Sequence, residues 1–352
     1  MSLNIPLLKK ICETPGAPGY ETKIRNLIIE EVKSFVDELS VDNLGNILAV
    51  KRAKSKNARK VMVAAHMDEI GFMVRHIDDS GFIRFHTLGG FDPKTLTAQR
   101  VKVHGKEVLT GVMGTKPIHV LSPEEREKPP KTTDYFIDLG LPKDQVEKLV
   151  KIGDPITWER ELIEIGECVN CKAIDNRVSV FVLVETLKAI AEKELEVDVY
   201  GVFTVQEEVG IRGASVSAHT IDPDFGIALD TTIANDVPGA QAHENITHLG
   251  KGAAIKLMDG SVISDYRMVR FMKQTADQHK IIWQPELLPA GGTDTSGVQR
   301  MGKNGAISGA ISVPTRFLHQ VIEMAHQKDI ENCINLLEAC LQDIERYDWS
   351  HD

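Results

Sequence analysis

No run of eighteen or more apolar residues occurs in the 352-residue chain, so the sequence contains no candidate for a membrane-spanning helix. Its first residues, MSLNIPLLKK, lack the apolar core and small-residue cleavage site of a secretory signal, and the expectation is a cytoplasmic protein with no membrane partner. A basic excess is missing too. With a formal net charge of −10 and a pI near 5.7, little is available to displace counterions from phosphates, which argues against a nucleic-acid partner. Cysteine is scarce: Cys12, Cys168, Cys171, Cys333 and Cys340 are odd in number and follow no framework spacing, as suits a reducing compartment. Cys168 and Cys171 do form a C-x-x-C, but a structural zinc site needs a second pair or a nearby C-x-x-H, and none follows. They read as two small residues near a strand end. Repeats and low-complexity segments are also lacking.

What is present is a globular composition, 42% hydrophobic, on a chain long enough for two domains. Residues 3–12 and 20–39 have helical periodicity, separated by the glycine- and proline-rich break at 14–19. Strands are expected at Glu38–Val41, Ile47–Lys51 and 61–65. From about Ile70 to Glu164 the texture changes to short alternating segments divided by turns, which suggests a small β-rich domain inserted into an α/β one. The corresponding division is 1–69 and 165–352 for the α/β domain, with 70–164 as the insert. Within it, 123–131 reads as a charged, proline-bearing loop. Beyond it, 178–191 reads as a strongly apolar helix, 225–229 and 306–312 as strands, and 329–344 as a closing amphipathic helix.

The chemistry concentrates where apolar strands stop. The run from Val199 to Val205 is apolar on both faces, as in a strand buried within a parallel sheet, and it ends in the adjacent carboxylates Glu207 and Glu208. Open α/β sheets collect their functional groups at strand carboxyl ends. The same logic selects His66, Asp68, Asp175, Asp230 and His319. Histidine and carboxylate donors suit zinc, cobalt or manganese, and the number of carboxylates exceeds what one structural zinc usually takes. Two divalent ions balance the charge better and leave one carboxylate of the Glu pair free as a base. Asp175 and Asp230 also have plain readings as helix N-caps. The H-x-D spacing of His66 and Asp68 places a carboxylate where it can orient a metal-bound imidazole.

Six segments, taken in order, carry a family resemblance: His66-Met-Asp68-Glu69, Ala173-Ile-Asp175-Asn-Arg177, Gln206-Glu207-Glu208-Val-Gly210, Ala228-Leu-Asp230, Gly291-Gly-Thr-Asp294 and Pro314-Thr-Arg316-Phe-Leu-His319. The ordered set, spanning essentially the whole chain, resembles the tetrahedral (TET) dimetal aminopeptidases of metallopeptidase family forty-two. The resemblance implies a zinc-peptidase-like α/β fold, with a central mixed sheet flanked by helices and an inserted β-barrel-like dimerisation domain. It implies two divalent ions per subunit, zinc or cobalt foremost and manganese also admissible. Asp175 would bridge them, His66 and Asp230 would complete one site, and Glu208 and His319 the other. Glu207 would be the base acting on a metal-bridged hydroxide, and Asp68 the partner of His66. The substrates would be short peptides cleaved at the N-terminus, and the assembly a homo-oligomer of dimers forming a dodecamer. The loop 290–297 would border the substrate pocket, although its own residues read as a flexible glycine turn. Phe317 and Gln320 depart from the family's usual tyrosine and serine, which bears on pocket shape. Alternatives are an endoglucanase-type glycoside hydrolase, since paired carboxylates also serve that chemistry, another dimetal amidohydrolase such as a carboxypeptidase or deacylase, and a catalytically silent assembly protein.

Overall fold

The computed structural model describes residues 3–351. The first helix, α1 (Ile5–Glu13), starts where the Asn4 side chain accepts the Leu7 N–H, and it buries Leu7, Leu8, Ile11 and Cys12. Helix α2 (Thr22–Val32) is shorter than its periodicity suggests. The sheet claims the residues that follow: the Asp37 N–H donates to the Val50 carbonyl, and β1 (Glu38–Val41) pairs antiparallel with β2 (Ile47–Lys51). Strand β3 (Lys60–His66) is apolar on both faces because both are covered. Val61, Val63 and Ala65 enter the larger core, while Met62 and Ala64 enter a second one on the opposite side.

The chain then leaves the sheet and forms a closed six-stranded barrel. Its strands are β4 (Gly71–Ile77), β5 (Ile83–Leu88), β6 (Gln99–His104), β7 (Val108–Gly114), β8 (Phe136–Asp138) and β9 (Pro155–Trp158), arranged β4-β5-β8-β7-β6-β9. Phe72 packs on Phe85, Phe91 and Trp158 with ring centroids 4.6 to 4.9 Å apart, filling the interior. The charged segment expected as a loop contains the helix α3 (Pro123–Glu127). Its start is a capping box, in which Ser122 and Glu125 satisfy each other's backbone N–H and Pro123 opens the helix. A second short helix, α4 (Lys143–Leu149), precedes β9.

Strands β10 (Ile163–Ile165) and β11 (Cys168–Cys171) bring the chain back to the main sheet. Helix α5 (Ile174–Ile190) follows, with 14 of its 17 residues buried, so nearly its whole circumference is covered. The remaining elements are β12 (Asp198–Thr204), α6 (Arg212–Ile221), β13 (Phe225–Ile233), β14 (Ala253–Met258), α7 (Tyr266–Gln278), β15 (Trp283–Leu287), α8 (Asp294–Met301), β16 (Ile307–Arg316), β17 (Glu323–His326) and α9 (Gln327–Asp343).

The mixed sheet has eleven strands, ordered β1-β2-β12-β3-β13-β16-β17-β11-β10, with β14 beside β16 and β15 beyond β14. Helices α1, α2, α5, α7 and α9 cover one face; α6 and α8 cover the other. The central strands β12, β3, β13 and β16 are parallel, so their carboxyl ends share one edge. Two strands run further than their apolar stretches suggested. Pairing of Asp230 with Ser312 and of Ile233 with Thr315 continues β13 and β16 past that edge, which places Asp230 inside a strand and removes its reading as a helix cap. The glycine segment also ends sooner than its composition indicated, because α8 begins at Asp294.

Candidate metal centre

At this shared edge the chain gathers His66 from the end of β3, Asp175 from the start of α5, Glu207 and Glu208 from the turn after β12, Asp230 from β13 and His319 from the turn after β16. Two sets of donor atoms form. Those of His66, Asp175 and Asp230 lie within 4.8 Å of one another, as do those of Asp175, Glu208 and His319. Asp175 belongs to both. Its Oδ1 lies 3.3 Å from His66 Nε2 and its Oδ2 lies 3.3 Å from His319 Nε2. Glu208 Oε2 is 3.6 Å from His319 Nε2, Asp230 Oδ1 is 3.9 Å from His66 Nε2, and Glu207 Oε2 is 4.0 Å from the same nitrogen.

Both imidazoles are oriented in the same way. Nδ1 of His66 lies 3.2 Å from the Asp68 carbonyl oxygen, and Nδ1 of His319 lies 3.1 Å from that of Gly90. A carbonyl can only accept, so in the neutral ring Nδ1 carries the proton and Nε2 turns its lone pair to the cluster. Gly90 belongs to the inserted segment, so the barrel side of the chain helps to set one of the two rings.

The turn carrying the Glu pair is fixed through four successive backbone N–H groups. Val205 donates to Asn46 Oδ1 at 3.0 Å, Gln206 to Glu21 Oε1 at 3.2 Å, Glu207 to Asp68 Oδ1 at 3.0 Å and Glu208 to Asp68 Oδ2 at 3.1 Å. The carboxylate of Asp68 is 3.5 Å from His66 Nδ1, farther than the Asp68 backbone carbonyl. Its shorter contacts therefore place the glutamates rather than the imidazole. Glu323 does for the other side what Asp68 does here: Oε2 accepts the Asp175 N–H and Oε1 accepts the His319 N–H, each at 2.8 Å. Asp175 caps nothing and has non-helical backbone angles at the head of α5. Ala173, Gln206, Ile211, Phe317 and His319 all adopt left-handed backbone near the cluster, a cost that surrounding structure must sustain.

The donor set fits divalent cations on electrostatic grounds. Burial, reinforced by Asp230, Asp294 and Glu208, pushes the Glu207 carboxyl well up. Burial together with Asp175 raises Asp230 also, and Glu208 rises to about 7. Burial opposes charge on His319, yet Asp175 and Glu208 lift it to about 11. Both kinds of shift express surplus negative potential, which a dication relieves. Asp175 Oδ1 and Glu208 Oε1 are buried and aligned with no hydrogen-bond donor among the described residues. Buried carboxylate oxygens left so are costly unless a cation meets them.

A cavity of about 490 Å³ opens on the cluster. The glycine segment Ala290–Thr293, named from sequence as a neighbour of the site, forms part of its wall. Phe317 and Gln320, the two departures, do not line it. Sequence reading missed Glu21, Asn46, Gly90 and Glu323. Glu323, the first residue of the short strand Glu-Met-Ala-His, carries no signal of its own in the sequence. The C-x-x-C pair lies in β11 as free thiols.

Several known proteins of similar sequence and architecture are described as aminopeptidases, and a Thermotoga maritima structure described as an endoglucanase also matches. A family model described as M42 glutamyl aminopeptidase matches residues 45–336. A putative aminopeptidase of Acetivibrio thermocellus is 41% identical over 332 residues, covering 94% of this chain and 96% of that protein. The structure of an aminopeptidase from the archaeon Desulfurococcus kamchatkensis superposes with a TM-score of 0.92 at 38% identity, covering 96% of this chain and 94% of the other. That of the Pyrococcus horikoshii TET1 peptidase, which can assemble into a tetrahedron or a large octahedral shell, gives 0.85 at 33% identity, with 96% and 98% covered.

Proposed function

Since the chain belongs to the M42 glutamyl aminopeptidase family and is thereby a metallo-aminopeptidase, we propose that it removes N-terminal residues from short peptides with two divalent ions held in the cluster. The observation that carries the ion count is the position of Asp175, with one carboxylate oxygen towards each imidazole. His66 and Asp230 complete one set, Glu208 and His319 the other, in zinc or cobalt form or with manganese. The chemistry such ions supply is Lewis-acid polarisation of the scissile carbonyl and a water acidified from about 15.7 towards about 7.

Glu207 acts as general base. It takes the proton of the attacking water and returns it to the departing amine, which otherwise leaves poorly. Its backbone, held by Asp68, keeps the carboxylate beside the cluster, with Oε2 4.0 Å from His66 Nε2, and outside both donor sets, so it stays available to carry the proton. The same cluster holds the free α-amine of the substrate, which confines cleavage to the first peptide bond. A glycoside hydrolase has no use for two imidazoles turned onto one aspartate, and that alternative is not favoured.

The working form is a homo-oligomer built from dimers, up to a dodecamer. Supporting this are the TET1 assemblies and the exposed apolar side chains Val108, Val112, Ile118 and Val120 on the inserted segment. Free thiols support a cytoplasmic location, and among the described residues no helix is long and apolar enough to cross a membrane. The deciding experiment strips metal with a chelator and restores zinc, cobalt or manganese singly while following aminoacyl-anilide hydrolysis. Activity should vanish and return; hydrolysis that survives complete removal refutes the metal reading.

A further inference from the structure

The glutamyl description of the family raises the question of which side chain this particular cavity accepts. Its apolar wall is made by Ile211, Ile233, Leu288 and Leu318. Four of its polar residues, Asp175, Glu207, Glu208 and Asp230, are carboxylates already assigned to metal or proton work. Among the described residues no lysine or arginine lines it. Three cations of the elements around it already have partners of their own. Arg316 is clamped by both oxygens of Asp236 at 2.6 and 2.7 Å, Arg212 donates to Gln206 Oε1 at 3.0 Å, and Lys256 is buried against Glu286 and Asp259. The Thr293 hydroxyl donates to Asp259 at 2.9 Å, so it offers a substrate no free proton, and Thr231 offers only a neutral hydroxyl.

The wall also has a defined shape. A Cβ on Gly292 would lie 3.1 Å from Ser261 and 3.3 Å from Ile211 Cδ1, so glycine there lets the loop pass close to both, and Gly291 lies in ordinary contact range of Leu288. Ile211 is β-branched and sits at φ 55°, a costly backbone for such a residue. Its side chain is thereby delivered to the cavity by the turn that starts α6.

Resting on the aminopeptidase reading above, we infer that the cavity selects a neutral aliphatic side chain of about leucine size at the first substrate residue, against both acidic and basic ones. An acidic side chain would be desolvated with no lysine or arginine to meet it, the charge of the ions being already met by the cluster's own carboxylates. A basic one would find only carboxylates committed to the ions or, in Glu207, to moving the proton. An aliphatic one replaces water against Ile211, Ile233, Leu288 and Leu318, where burial is favourable. Selection here works by the absence of partners for charge, which rejects more sharply than a hydrophobic wall discriminates among apolar groups.

The test uses the zinc- or cobalt-loaded enzyme with leucyl, alanyl, glutamyl and lysyl p-nitroanilides at fixed ionic strength. The expected result is a kcat/KM for the leucyl substrate at least tenfold above the glutamyl and lysyl values. Leu288→Lys should narrow the leucyl-to-glutamyl ratio by raising the glutamyl value. A wild-type glutamyl or lysyl value equal to or above the leucyl one overturns the inference and leaves the aminopeptidase reading standing. If none of the four is cleaved, that reading falls. Thermal shift with free amino acids then judges the cavity separately: leucine raising Tm more than equal glutamate or lysine supports the inference, and an equal or reversed order overturns it.

Discussion

Glu323 holds Asp175 by its main chain, with Oε2 accepting the Asp175 N–H at 2.8 Å while Oε1 accepts that of His319 at the same distance. One buried carboxylate thus joins the head of α5 to the turn after β16, whose side chains face each other across the proposed ion sites. Glu323→Ala leaves two N–H groups without their acceptor, and the expected cost is about 2–4 kcal/mol of stability. Both sets lose geometry together, so bound metal per chain after gel filtration should fall along with Tm. Glu323→Gln retains one acceptor and should lie between. Metal content unchanged in the alanine variant would show that the anchor is dispensable.

Glu207→Gln tests the division of labour within the Glu pair. The amide keeps the size and cannot carry the proton, so turnover should drop by roughly 10²–10⁴. Metal content should stay near wild type, because Glu207 is in neither donor set. Turnover near normal would remove Glu207 from the role of base.

His104 gives the barrel a pH dependence away from the cluster. Burial, with Lys23 nearby, lowers its pKa from 6.5 to about 4, and its Nε2 is 2.9 Å from Thr157 Oγ1. The folded state thus binds this proton more weakly than the unfolded one. The stability involved is fully present above pH 6.5 and is lost as pH falls towards about 4. His104→Gln should flatten the slope of unfolding free energy in that window, measured by urea titration at several pH values. An unchanged slope would mean that the imidazole does not titrate differently on folding.

Lys256 is fully buried between Glu286 and Asp259, and Asp259 also accepts the Thr293 hydroxyl at the cavity wall. Lys256→Met strands two carboxylates without a cation, at an expected cost of about 3–5 kcal/mol. Loosened Thr293 should raise KM for an aminoacyl-anilide more than it lowers kcat. Full retention of Tm would show that the pair contributes nothing net.

Much of the site was legible because the sequence marks strand ends sharply. The apolar stretch of β12 and its abrupt stop located Glu207 and Glu208, and β3 located His66 in the same way. The bounds of β1 and β2 could be read directly, since turn residues punctuate them. Asp230 and Pro314 misled: a polar residue and a proline looked like strand ends, whereas pairing across two parallel neighbours carries both strands through. The overlong reading of α2 failed for a related reason, as helical periodicity persists into residues that the sheet recruits. Glu323 and Glu21 have significance only through burial against backbone N–H groups, which comes from tertiary contacts. The capping box of α3 was written in Ser122 and Glu125 and was obscured by the charge around it.

The order in which the chain is made has a consequence for a protein that cuts peptides. His66 is translated long before His319, and β16 must insert beside β13 before His319 and Glu323 can meet Asp175. A partial polypeptide that stops within α8 contains His66, Asp175, Asp230 and both glutamates, yet it lacks the imidazole of the second donor set. On the two-ion proposal, hydrolytic competence would wait for one of the last strands to dock.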